Sequence, residues 1–298
     1  MKILIIGSEG FIGKSCLLFF QNSGHEIHGC DLQDLMNTDY PYYKISRLTP
    51  GFDNIFNKNS FDVCINAAGS GSVPLSITNP SSDFEANTID TFKILETIRV
   101  YNTSCKYVNM SSAAVYGNPQ GLPIHEDSRI QPLSPYGWHK FYSELICREF
   151  NTLYGIATCS VRPFSVYGPG LKKQLFYDIY KKTLDCTNVL TLFGTGQESR
   201  DFIYISDLIS CIALIIEKGA IQGEVYNAAS GQETTIDVAA STFVKFINPA
   251  IQVKFNGEQR IGDPNNWCAD ISLLKNIGFK SKISLDQGLQ NYAEWITK

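Results

Sequence analysis

An α/β fold, a doubly wound parallel sheet followed by a smaller α/β lobe, is the class this sequence predicts. Three observations carry it. Short apolar runs alternate with longer amphipathic stretches from the first residues to about Arg162, and strands alternating with helices build a parallel sheet covered on both faces. Glycines at 7, 10 and 13 follow the first apolar run directly and open the first amphipathic stretch. Beyond Arg162 the texture changes: Tyr167-Gly168-Pro169-Gly170 is a break, and shorter elements follow it. The expected division is 1–170 for the sheet domain and 171–298 for the second lobe, with the chain partly returning to the first.

The elements follow in order. Lys2–Ile6, Glu26–Asp31, Asp62–Asn66, Tyr107–Ser111 and Ala157–Arg162 read as strands, each short, apolar and followed by a turn or helix signal. Helices are expected over Phe11–Ser23, Ser81–Tyr101 and Pro135–Tyr154. In the second lobe a helix is expected over Leu175–Leu184, then strands at Val189–Leu192, Phe202–Ile205 and Val225–Asn227. Helices over Ile236–Phe246 and Leu285–Thr297 complete it.

Composition narrows the class of function. Hydrophobic residues make up 44% and charged residues 18% of the 298, enough apolar material for a packed core. A net charge of −4 offers no basic face for nucleic acid. An anionic ligand would need local arginine or lysine instead. Nine cysteines without paired spacing read as free thiols of a reducing, cytoplasmic compartment. They form no zinc-type cluster with the four histidines, so no metal site is expected. The apolar run after Met1 is too short for a signal peptide, and no stretch is long enough to span a membrane.

Gly7, Gly10 and Gly13 suit a dinucleotide. Glycine permits the tight turn, the close approach of backbone to a diphosphate and the packing of helix on sheet. The helix start at Phe11 and Ile12 then offers backbone N–H groups and a favourable dipole to the anion. This makes the sheet Rossmann-type. Asp31 ends the second strand, where a carboxylate accepts hydrogen bonds from the adenosine ribose and repels a 2′-phosphate. NAD(H) is therefore favoured, with NADP(H) left possible.

Three Tyr-x3-Lys pairs occur, Tyr40/Lys44, Tyr136/Lys140 and Tyr177/Lys181. Context selects the second. It lies on a helix starting near Ser134-Pro135, so both side chains share a face. It also follows Ser111–Gly117, the exit from the fourth strand, and open α/β sheets bind ligands at the carboxyl ends of strands.

Together with Asn66-Ala67-Ala68-Gly69, Arg162–Pro169, Arg200–Asp207 and Asp270–Ser272, these segments resemble the extended short-chain dehydrogenase/reductase family of nucleotide-sugar epimerases, dehydratases and reductases. The resemblance implies that Tyr136 exchanges a proton with a sugar oxygen. Lys140 and the nicotinamide would lower its pKa, and Ser112 would hydrogen-bond the same oxygen. It also implies that Ala67, Asn87, Tyr136 and Lys140 lie at the cofactor, and that Arg200 and Arg260 hold the diphosphate of a nucleotide-activated sugar. A homodimer is implied too, paired through the Ser81–Tyr101 and Pro135–Tyr154 helices.

Ala113 and Ala114 follow Ser112 where dehydratases of the family carry an acidic pair, so redox at one sugar carbon, C4, is the expected chemistry. A reductase of a dTDP-linked (or other nucleotide-linked) 4-keto-6-deoxyhexose, making a deoxysugar for surface polysaccharide, is favoured by the short chain. A nucleotide-sugar 4-epimerase is the alternative, and a non-catalytic NAD-binding scaffold is the reading from another class.

Overall fold

The structure, a computed structural model, describes residues 1–258 and 264–298. Its strands are β1 (Lys2–Ile6), β2 (Glu26–Asp31), β3 (Tyr42–Lys44), β4 (Val63–Asn66), β5 (Lys106–Met110), β6 (Thr158–Pro163), β7 (Ser165–Tyr167), β8 (Val189–Leu192), β9 (Ser199–Tyr204), β10 (Glu224–Ala228), β11 (Glu233–Thr235) and β12 (Gln252–Phe255). The chain packs as two compact units. The first takes Met1–Val115, Ser134–Arg162 and Ile209–Tyr226; the second takes Tyr116–Leu133, Pro163–Leu208 and Asn227–Lys298.

A seven-stranded sheet of order β10-β6-β5-β4-β1-β2-β3 is the frame of the first unit. Its pairs from β3 to β6 are all parallel, so the doubly wound Rossmann-type sheet is present. Strands covered on both faces are apolar throughout rather than alternating, and Ile3, Leu4, Ile5 and Ile6 are all buried. Because β1 pairs with β2 on one side and β4 on the other, the winding reverses at β1. Ligands of such sheets sit outside the carboxyl ends of the strands at that reversal.

The stretch expected as one helix over Ser81–Tyr101 is divided. A short helix Pro80–Phe84 starts on Asn79, whose side chain accepts from Ser82 N. A π-turn follows over Glu85–Ile89, and a second helix runs Asp90–Tyr101. Such wide turns recur at functional sites, and this one carries Asn87. A helix at Ile205–Lys218 was not expected. Leu208, Ile209, Ile212, Ile215 and Ile216 are all buried along one face of it.

In the second unit β9 pairs in parallel with β7 and antiparallel with β11, while β8 and β12 form a two-stranded sheet. Its core is aromatic: Phe176 packs on Tyr167, Phe202 and Phe243, and Phe243 stacks on Tyr292. Buried Asp201 fastens three segments by accepting from Ser230 N, Gly231 N and Ala269 N. Among the described residues no helix is long and apolar enough to cross a membrane, and no cluster of three potential metal ligands occurs.

Candidate active site

The loop between β1 and the helix Phe11–Asn22 is made by its glycines. Gly7 has φ +81°, and a Cβ there would lie 2.6 Å from Ala68 N and 2.8 Å from Ala67 C. A Cβ on Gly13 would overlap Gly7 O. The turn therefore rests directly on the Ala67-Ala68 backbone at the end of β4. Gly10 caps the helix with no side-chain hydrogen bond, and no acidic residue lies in the first turn. The N-terminus that begins with Phe11 and Ile12 thus carries no acidic residue in its own first turn. Asp31, at the end of β2, accepts from Glu9 N at 2.9 Å and from Leu32 N at 2.6 Å. These donors hold the carboxylate beside the loop. The donor set fits a dinucleotide: bare helix N–H groups for a diphosphate and a carboxylate for ribose hydroxyls.

Ser112 lies just past β5, and Tyr136 and Lys140 are one turn apart on the helix Pro135–Tyr154. That helix starts cleanly because Ser134 accepts from Gly137 N and Pro135 occupies its first turn. The Tyr136 hydroxyl is hydrogen-bonded to Ser112, and both side chains are half-buried. Burial raises the Tyr136 pKa, with the Ser112 bond acting against it and the Asp83 charge reinforcing it. Lys140 is buried and donates to Met110 O at 2.7 Å, at the end of β5. Burial brings its pKa down to about 8, while the charges of Asp83 and Glu144 hold it up. The group is a half-buried phenol, its pKa raised, one helical turn from an ammonium whose pKa is lowered to about 8.

Gly69, Asn87 and Lys140 converge. A Cβ on Gly69 would overlap Asn87 Oδ1 and come within 3.3 Å of Lys140 Nζ. Asn87 Oδ1 and Asp83 Oδ1 are buried without a hydrogen-bond partner. Unmet acceptors of this kind need a reason, and both lie on the segment that reaches towards Lys140.

Sequence reasoning missed the supports beneath these residues. Asp83 Oδ2 pairs with His139 Nδ1 at 2.6 Å, both largely buried. Glu144 lies one turn beyond Lys140 and forms a buried two-pronged pair with Arg162, at 2.8 and 2.6 Å, and accepts from Ser111 Oγ at 2.5 Å. The extension of Tyr136-x3-Lys140 to Glu144 was the available signal, since the spacing puts all three on one helix face.

Of the expected substrate residues, Arg200 belongs to the second unit. Its guanidinium donates to Ser199 O and Asn265 O and lies over the Trp267 ring. Arg260 lies outside the described residues.

A family model, the NAD dependent epimerase/dehydratase family, matches residues 3–229. Over all of its length the chain is 29% identical to an uncharacterized UDP-glucose epimerase of Bacillus subtilis, of which it covers 98%. It is 26% identical to a UDP-glucuronate 4-epimerase of Thermodesulfobacterium geofontis, with 98% of this chain and 95% of the relative covered. The crystal structure of a UDP-glucuronic acid 4-epimerase from Bacillus cereus, in complex with UDP-glucuronic acid and NAD, superposes with a TM-score of 0.89. Identity there is 28%, over 100% of this chain and 99% of that one.

Proposed function

The chain belongs to the NAD dependent epimerase/dehydratase family, and from that premise we propose that it is an NAD-dependent nucleotide-sugar 4-epimerase acting on a UDP-linked hexose or hexuronate. The observation that carries the reading is the Ser112–Tyr136–Lys140 group at the end of β5. The relatives, 4-epimerases of UDP-sugars, favour this over the 4-keto reductase that chain length alone favours.

The residues divide the work as follows. Tyr136 takes the proton of the sugar 4-hydroxyl and later returns it to the same oxygen. Ser112 holds that oxygen by hydrogen bonding. The Lys140 ammonium favours the phenolate form of Tyr136 by charge. Gly7, Gly10, Phe11, Ile12, Gly13, Asp31, Ala67 and Asn87 would hold NAD, which would supply reversible hydride exchange at C4. Ala113 and Ala114 carry no acid or base, which fits a reaction confined to C4. Proton and hydride both come back, so the reaction is redox-neutral. Arg200 and Arg260 are proposed to hold the diphosphate.

A homodimer is proposed as the working form. Trp138, Tyr142 and Leu145 stand exposed at helical spacing on Pro135–Tyr154, and Phe92 and Val100 on Asp90–Tyr101. Light scattering at micromolar concentration should give twice the chain mass; a monomer rejects this.

The reaction is tested by incubating the purified enzyme with UDP-glucose or UDP-glucuronate and no added cofactor, then following the C4 epimers by NMR. Interconversion without net change in nicotinamide absorbance is expected. Stoichiometric oxidation of NADH by a nucleotide-linked 4-keto sugar, with no interconversion, would establish the reductase instead.

A further inference from the structure

We infer that Glu9 is a second acidic determinant of cofactor choice, acting with Asp31 to turn away a dinucleotide that carries a 2′-phosphate. The inference rests on the NAD reading of the glycine loop. Glu9 sits inside that loop, between Gly7 and Gly10. An acidic side chain close to a diphosphate site is unfavourable unless other groups hold it, and this one is held by the Tyr40 hydroxyl. Its carboxylate is 8% exposed and accepts from the Tyr40 hydroxyl at 3.2 Å.

The neighbours show what the position commands. Glu9 N donates to Asp31 Oδ2 at 2.9 Å, so one residue anchors the ribose carboxylate through its backbone and adds a charge beside it through its side chain. Gly29 on β2 lets the Tyr40 ring close over the strand. A Cβ there would stand 2.8 Å from Tyr40 Cε2 and 3.0 Å from Ser8 Oγ. Burial first, then the Glu9 charge and hydrogen bond, raise Tyr40 to about 12, so its hydroxyl stays a donor to Glu9. Tyr42 is raised by burial and, to a lesser extent, by the charges of Asp31 and Glu9. Lys14 Nζ lies 3.8 Å from the Glu9 carboxylate and is 61% exposed, a solvated partner that neutralises little. Two carboxylates on one side of the adenosine ribose leave a 2′-hydroxyl acceptors to bond and give a 2′-phosphate only repulsion.

The test is the ratio of NADPH to NADH affinity, measured by nicotinamide fluorescence on the intact protein after removal of co-purified nucleotide. Glu9→Gln should raise that ratio about tenfold, the effect of removing one unit charge several ångströms away at near-surface dielectric. Tyr40→Phe, which frees the Glu9 carboxylate from its donor, should move the ratio by less. Glu9→Gln with Asp31→Asn should exceed either single change. A Glu9→Gln protein that loses affinity for both dinucleotides equally, leaving the ratio unchanged, makes Glu9 a structural residue and overturns the inference alone. A wild-type protein that binds neither dinucleotide overturns it together with the cofactor reading.

Discussion

The ends of β1 and β5 face the same edge of one parallel sheet but are built on opposite principles. At β1 the site is backbone. Its glycines matter for the side chains they lack, and recognition falls to N–H groups and a helix dipole that do not titrate. At β5 the site is side chain. Tyr136 and Lys140 are titratable, and burial moves their pKa values, Tyr136 up and Lys140 down, with Ser112 hydrogen-bonded to the phenol. Binding of a constant anion calls for fixed dipoles, while movement of a proton calls for groups poised to change charge. The first should be insensitive to pH and intolerant of added atoms; the second should tolerate small steric change and respond strongly to charge.

The largest expected break is at β5. Tyr136→Phe removes one oxygen and should lower turnover by roughly 10²–10⁴, the span of a lost general acid/base, while leaving dinucleotide affinity intact. Near-wild-type turnover, measured by NMR of the C4 epimers, would remove Tyr136 from the chemistry. Glu144→Gln strips the buried Arg162 of its counter-charge; removing one partner of such a pair destabilises by about 3–5 kcal/mol. A thermal midpoint lowered by several degrees is expected, and an unchanged one would show that the pair is not holding the helix to β6.

At β1 the complementary break is Gly13→Ala. One methyl group overlaps Gly7 O, and overpacking of this kind costs about 1–3 kcal/mol, so NADH should bind roughly tenfold to a hundredfold more weakly at every pH. Titration of NADH fluorescence checks it; loss of affinity only at one end of the pH range would contradict the fixed-dipole account.

The smallest effect sharpens the contrast. Lys140 must be charged to help, and its pKa of about 8 predicts an alkaline limb near that value in the pH profile of kcat/KM. Asp83 raises the pKa of both Tyr136 and Lys140. Removing its charge in Asp83→Asn should therefore move that limb to lower pH, by up to about one unit. A profile that does not move would show that the Asp83–His139 pair only packs the helix.

Much of the fold was legible because its signals are local. Lys2–Ile6, Glu26–Asp31 and Pro135–Tyr154 have the same limits in the structure as their residues suggest, since apolar runs, a Ser-Pro start and a closing Gly155 act within a few residues. The π-turn at Asn87 was not legible, because it depends on what Asn87 meets across the fold; the Ile205–Lys218 helix was overlooked although its polar residues recur at helical spacing. The spacing of Gly7, Gly10 and Gly13 and of Tyr136 and Lys140 is written in the chain, and so is the choice of one Tyr-x3-Lys pair among three. What no spacing contains is the environment of these groups. Asp83 meets His139 from 56 residues away, and Tyr40 reaches Glu9 from 31. Whether a carboxylate is solvated and inert or buried and felt by its neighbours depends on desolvation and on charges brought near by folding. Sequence by itself determined which residues can react; only the tertiary structure decided at what pH they do so and which acids surround them.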